Sequence, residues 1–307
     1  MNQLQNLINE YFDYCKSQKR LDEKTLKAYS TDLSQFSSTV KAEDVEQITS
    51  DTLEEYLANL HQLYKPKTVK RKVASIKSFF HYLEYKDLID RNPFNKIQIR
   101  FREPAKLPKT IPLHTVEQLL KIVYFQRTNA HTSYQKRNAL RDAAVIELLF
   151  ATGMRISELC SLNPSAVDLI DRSIRIYGKG DKERCIQIGN DYVVQILKEY
   201  KDNFDSEISK CNYFFANQAG KQLSDQAVRR MINKYVRLAS IELHITPHMF
   251  RHTFATSLLD ADVDIRYIQE MLGHSSIHIT EIYTHVAMSK QKDILATKHP
   301  RKDFNIG

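Results

Sequence analysis

The sequence predicts a mainly α protein of two domains with one small antiparallel β element. Three observations carry that expectation. Apolar residues recur at helical spacing through almost all of the first hundred positions. Between residues 101 and 113, FREPAKLPKTIPL sets three prolines among basic residues and loses all periodicity. Farther on, SIRIYGKGDKERCIQIG switches to period two around a glycine turn. At 307 residues the chain is long enough for two cores.

The first helix is marked by Leu7, Ile8, Tyr11, Phe12 and Cys15, and the second by Leu26, Tyr29, Leu33 and Phe36. A third follows Ser50-Asp51, with Leu53, Tyr56, Leu57 and Leu60 as its stripe. The fourth runs from about Lys65 to Tyr85. Its first half, KPKTVKRKVASIKSF, carries Lys65, Lys67, Lys70, Arg71, Lys72 and Lys77 and no acid. Val69, Val73, Ile76 and Phe80 still provide a buried stripe, so one face packs and the rest is cationic. That arrangement suits a helix laid against phosphates, and a solvated basic face is the competing reading. The proline-rich stretch then separates residues 1–103 from a second domain, 114–307, through a linker at 104–113.

In the second domain, Leu140 to Phe150 reads as a strongly apolar helix stopping at Thr152-Gly153. The β-hairpin follows, with Ile174, Ile176, Ile186 and Ile188 alternating and Lys179 near the tip. Ser224 is the expected cap of a helix striped by Val228, Met231, Ile232, Tyr235 and Val236. Thr246-Pro247 starts another, with the threonine as cap and the proline in its first turn. His248 and Arg251 share a face of that helix. A last helix, marked by Ile265, Ile268 and Leu272, ends at Gly273.

The net charge of +8 points to an anionic polymer, nucleic acid first, with plain solubility as the alternative. No stretch approaches the roughly 20 apolar residues that span a bilayer, and the N-terminus lacks a basic-then-apolar leader pattern. The expected location is the cytoplasm. Cys15, Cys160, Cys185 and Cys211 are far apart and form no CxxC pair, which favours free thiols over disulfides or a cysteine zinc site.

Three chemistries compete. A metal site is suggested by the four-residue spacing of His248 with His252 and of His274 with His278. Gly273 breaks the helix before His274, however, and HMFRH holds an arginine and no acid, so no metal is expected. A phosphate loop is suggested by GKGDK, but the full GxxxxGK[ST] pattern is absent and the segment joins two strands. Attack on a phosphodiester needs cations at the nonbridging oxygens, an aligned nucleophile, and a proton for the leaving alkoxide. Arg155, Lys179, His248, Arg251, His274 and Tyr283 together supply those parts. Taken singly, each has a plainer explanation: a surface ion pair for Arg155, a turn lysine for Lys179, a helix cap for His248, a loop histidine for His274, a core ring for Tyr283.

The joint pattern resembles a known family. ATGMRISELCSL, YGKGDKER, TPHMFRHTFAT, MLGHSS and EIYTHV occur in that order and are similar to the motifs of tyrosine recombinases, most of all the compact Xer-like members and related phage integrases. LDEKTLKAYSTDL, TVKRKVASIKSFFHYLEYKDLIDRNPF and KLPKTI resemble that family's DNA-clamping N-terminal domain and its linker, so the resemblance spans nearly the whole chain. It implies a SAM-like helical N-terminal domain before an α-rich catalytic domain with a small antiparallel sheet. It also implies that Arg155 and Arg251 hold the scissile phosphate, Lys179 protonates the leaving 5′ oxygen, His248 handles protons, His274 braces the transition state, and Tyr283 attacks. The implied partners are double-stranded DNA with inverted-repeat core sites and three further subunits, either copies or a related recombinase. The tail MSKQKDILATKHPRKDFNIG would pack on a neighbouring subunit. No cofactor is implied. Phe250 stands where leucine is commoner, and YFQRTNAHTSYQKRNALRD is longer than in compact members. The implied activity is site-specific recombination through a 3′-phosphotyrosine and a Holliday junction. Integration or excision and Xer-like dimer resolution are both open as the biological task. An inactive DNA-binding protein on the same fold, or a type IB topoisomerase-like activity, is the alternative.

Overall fold

The computed structural model describes residues 3–98, 108–177 and 183–273. The chain divides into two compact units, residues 1–105 and 106–307.

The first unit is four helices, α1 (Gln3–Ser17), α2 (Glu23–Val40), α3 (Ser50–Leu63) and α4 (Pro66–Tyr85). Local chemistry sets their starts. The Asp22 carboxylate accepts from the Thr25 N–H at 2.8 Å, Thr49 accepts from Thr52, and Pro66 occupies the first turn of α4. The apolar stripes meet in one core that includes Leu4, Tyr11, Leu33, Phe36, Tyr56, Val73, Phe79, Phe80 and Leu83. Aromatic edges hold it together, with Phe36 against Phe80 and Phe80 against Phe94. Each such side chain contributes roughly 1.5–3 kcal/mol by leaving water, before chain entropy is set against it.

The second unit is built around α6 (Ser133–Thr152), which α5 (Leu113–Thr128) precedes and α7 (Ile156–Cys160) follows. A three-stranded antiparallel sheet comes next: β1 (Val167–Asp168), β2 (Ser173–Tyr177) and β3 (Glu183–Gln187) in spatial order β1-β2-β3. Ile174 pairs with Ile186 and both face inward. The helices α8 (Asp191–Cys211), α9 (Asp225–Leu238), α10 (Pro247–Asp260) and α11 (Ile265–Leu272) complete the unit. From Ala143 to Leu149 every residue of α6 is buried, and α5, α8, α9 and α10 all pack on it. A helix buried on all sides has to sit in the middle.

The structure departs from the sequence expectations in particular places. The central helix begins at Ser133, where Thr132 and Gln135 form a reciprocal capping box. That polar start lies outside the apolar run from Leu140 to Phe150 by which the sequence marks the helix. β1 is too short to carry a periodic signal and exists through its pairing with β2. Thr246 stands at the N-cap of α10, but its side chain makes no capping hydrogen bond. Ser224 does cap α9, accepting from the Ala227 N–H at 3.2 Å. Among the described residues no helix is long and apolar enough to cross a membrane.

Candidate active site

The site begins where α6 stops. Gly153 takes a left-handed conformation, φ +58°, and its N–H closes the helix on the Leu149 carbonyl. A Cβ there would lie 2.8 Å from Phe254 Cδ1 and 3.1 Å from Leu272 Cδ2. Glycine is therefore required twice, by the backbone and by the close approach of α10 and α11.

Two residues later Arg155 is the N-cap of α7. Its N–H donates to Glu158 Oε2 at 2.8 Å, and its guanidinium donates to Oε1 at 2.7 Å. The Arg155 side chain keeps 36% of its surface, while Glu158 keeps 6%. Arg184 on β3 approaches the same carboxylate, with Nη1 3.0 Å from Oε1 and Nη2 2.7 Å from Oε2. Burial pushes the Glu158 carboxyl up, but hydrogen bonds from Arg184 and Arg155 outweigh it and hold the group below the usual carboxylate range.

Arg251 is reached from α10. It is buried, and it donates from Nη1 to the Gly153 carbonyl at 2.9 Å and from Nη2 to the Leu272 carbonyl at 2.7 Å. Arg184 Nε donates to the neighbouring Met271 carbonyl at 2.9 Å. Two guanidinium groups thus cap consecutive carbonyls at the C-terminus of α11, where the helix dipole is negative. Gly273 then ends α11 with φ +64°.

His248 lies exposed in the first turn of α10. His252, on the next turn, has its pKa lowered by burial first, then by the nearby His248 and Arg251. Of the six candidate catalytic residues, Arg155, His248 and Arg251 are described, and the two arginines are brought to the same turn. Lys179, His274 and Tyr283 lie outside the described residues, as does the C-terminal tail. Glu158 and Arg184 carry no role in the sequence reading, although they lie inside ATGMRISELCSL and YGKGDKER. The signal for Arg184 is the strand period: it is in phase with inward Ile186 and Ile188, so it needs a buried partner.

The basic helix of the first unit is less uniform than its sequence. Lys65, Lys67, Lys70, Arg71 and Lys77 fall on exposed positions. Lys72 does not: it is buried, with Nζ 3.2 Å from Asp32 Oδ1, a bond to Gln35 and the Tyr64 ring 4.9 Å away. Ser75 and Arg71 also donate to Asp32. The expectation that Lys72 faces phosphates is corrected by this packing, because fully buried Asp32 needs a cation and the Lys72 side chain is itself buried against it. Among the described residues there is no cluster of side chains able to hold a metal ion.

Comparison with known proteins accounts for both units. Residues 114–290 match the phage integrase family, and residues 8–86 match the N-terminal SAM-like domain of phage integrases. A tyrosine recombinase of Agathobacter rectalis is 68% identical over 306 residues, covering 100% of both chains. Tyrosine recombinase XerD of Staphylococcus haemolyticus is 34% identical, covering 97% of this chain and 100% of its own. Among solved structures, a XerH site-specific recombinase bound to its palindromic difH substrate shares the fold, with TM-score 0.71 at 22% identity over 93% of this chain and 83% of that one. The chain belongs to the phage integrase family and is a tyrosine recombinase, an enzyme of site-specific DNA recombination.

Proposed function

We propose that this recombinase breaks and rejoins DNA through Tyr283, with Arg155, Arg251, His274, His248 and Lys179 as the supporting set. The observation that supports this reading best is the contact of Arg251 with the Gly153 carbonyl, 98 positions away in sequence and two residues before Arg155. It draws the two arginines expected at the phosphate to one turn. Tyr283 gives its phenolic proton to His248, the proton-handling residue of the set, and its oxygen bonds to phosphorus as the bond from phosphorus to the 5′ oxygen breaks. Lys179 gives its proton to that oxygen, and the products are a 3′-phosphotyrosyl link and a 5′ hydroxyl. Arg155 and Arg251 offset the charge that builds on the phosphoryl oxygens. The phosphotyrosyl bond conserves the energy of the broken link, so a second 5′ hydroxyl can displace the tyrosine without ATP.

The reading extends to double-stranded DNA with inverted-repeat core sites, to a tetramer of this chain or of this chain with a related recombinase, and to work in the cytoplasm. The test needs a DNA site, which can be selected by binding of the unaltered protein to a pool of random-sequence duplexes. A duplex of the selected sequence nicked just 3′ of the cleavage point then loses the short fragment bearing the 5′ hydroxyl and traps the covalent complex. Denaturing gels should show a protein–DNA adduct with the unaltered chain and none with Tyr283→Phe. An adduct of undiminished yield from the phenylalanine variant would assign the nucleophile elsewhere.

A further inference from the structure

Arg184 has no part in the phosphate chemistry just described, yet it is built into the same site from three directions. Its guanidinium engages both oxygens of Glu158, at 3.0 and 2.7 Å, and its Nε holds the Met271 carbonyl at 2.9 Å. Its side chain is 8% exposed, so this ion pair is sheltered from solvent screening. Gly273 presses against it as well, since a Cβ at that glycine would lie 3.0 Å from Arg184 Cδ and Nη1.

The charges in this cluster matter for Arg155. Glu158 and Arg155 alone form a neutral pair, and a guanidinium matched by its own carboxylate has little net attraction to offer a phosphate. With Arg184 present, two guanidinium groups share one carboxylate, and the trio carries one net positive charge. Because Arg184 engages both oxygens, Glu158 is also kept from turning wholly onto Arg155.

We infer that Arg184 is a positioning residue for strand cleavage: by sharing Glu158 it leaves Arg155 with net positive charge to offer the scissile phosphate and keeps it aimed there, and it anchors the last carbonyls of α11. The inference rests on the cleavage chemistry proposed above. If Arg184 is lost, Glu158 faces Arg155 undivided and the cluster becomes neutral. If the carboxylate charge is removed too, one net positive charge returns. Glutamine at 158 still offers an oxygen to the Arg155 N–H, as it does in ordinary capping boxes.

The experiment compares the unaltered chain, Arg184→Gln, Glu158→Gln and the double variant on the nicked duplex selected above. Adduct rate, non-covalent binding of the intact duplex and thermal unfolding are read for each. Arg184→Gln should slow adduct formation by about tenfold or more while binding changes far less. The double variant should recover most of that loss, a coupling that simple destabilisation does not produce. Should Arg184→Gln fail to fold, Arg184→Met, which keeps the apolar stem without the charge, is compared with and without Glu158→Gln, and the same gain is expected. An Arg184→Gln rate equal to that of the unaltered chain, or no gain from removing the Glu158 charge, overturns the inference. Absence of an adduct with the unaltered chain would instead count against the nucleophile assignment itself.

Discussion

Arg251 donates a hydrogen bond of 2.9 Å to the carbonyl oxygen of Gly153. Through this bond, the buried arginine of HMFRH is tied to the turn that presents Arg155. The turn tolerates little change. Gly153→Ala places a Cβ at φ +58° and within 2.8 Å of the Phe254 ring. It should lower stability by about 1–3 kcal/mol, measured by denaturant unfolding, and should slow adduct formation. Unchanged stability would mean that α10 and α11 yield easily at this point.

The proton assignment to Lys179 has its own test. Lys179→Ala should slow cleavage by about 10²–10⁴-fold, the usual range for a general acid. A substrate with a 5′ sulfur in place of the leaving oxygen departs without a proton and should be cleaved by the variant at nearly the unaltered rate. Equal losses on both substrates would remove the assignment.

The basic residues of α4 should divide into two groups. Neutralising Lys67, Lys70 and Lys77 together should weaken DNA binding and flatten its salt dependence, by about 0.9 in the logarithmic slope for each phosphate no longer neutralised. Lys72→Met should leave that slope alone and destabilise the first unit, because it strips a partner from buried Asp32. Salt titrations of binding and thermal melts of both variants separate the two effects. A flattened slope in Lys72→Met would return that lysine to the DNA-facing group.

Two buried carboxyls should shift stability with pH in opposite directions. The Glu158 pKa is depressed, so its contribution is present above the ordinary carboxylate pKa and is lost as pH falls through the folded value. Glu147 is raised by burial, with the Tyr124 hydroxyl bond opposing. Its contribution is present in acid, where the group is protonated, and is lost as pH rises through its folded pKa. Melting temperatures followed from pH 7 into acid should therefore fall less steeply for Glu158→Gln than for the unaltered chain. Glu147→Gln, which keeps an acceptor for Tyr124, should be the more stable protein at neutral pH. A Glu147→Gln protein that melts lower at pH 7 would show that the ionised carboxylate is stabilised in place.

Much of this protein is determined locally. The stripe of α4, the glycine stops at Gly153 and Gly273, and the period change around residues 173–189 each follow from the few residues nearest them. Helical spacing, left-handed caps and strand alternation act over one or two turns. The motifs that name the chemistry are just as local. What needs the tertiary structure is the pairing of charges. Whether Lys72 faces solvent or Asp32, and whether Arg184 is a turn cation or a partner of Glu158, depends on which helix or strand lies opposite. A buried carboxylate selects the cations that can reach it, and reach is a property of the packed fold. The sequence by itself determined most of the helices and the paired strands around residues 173–189 and offered the candidate reactive residues, and only the packing decided which of its arginines and lysines are tied to a carboxylate.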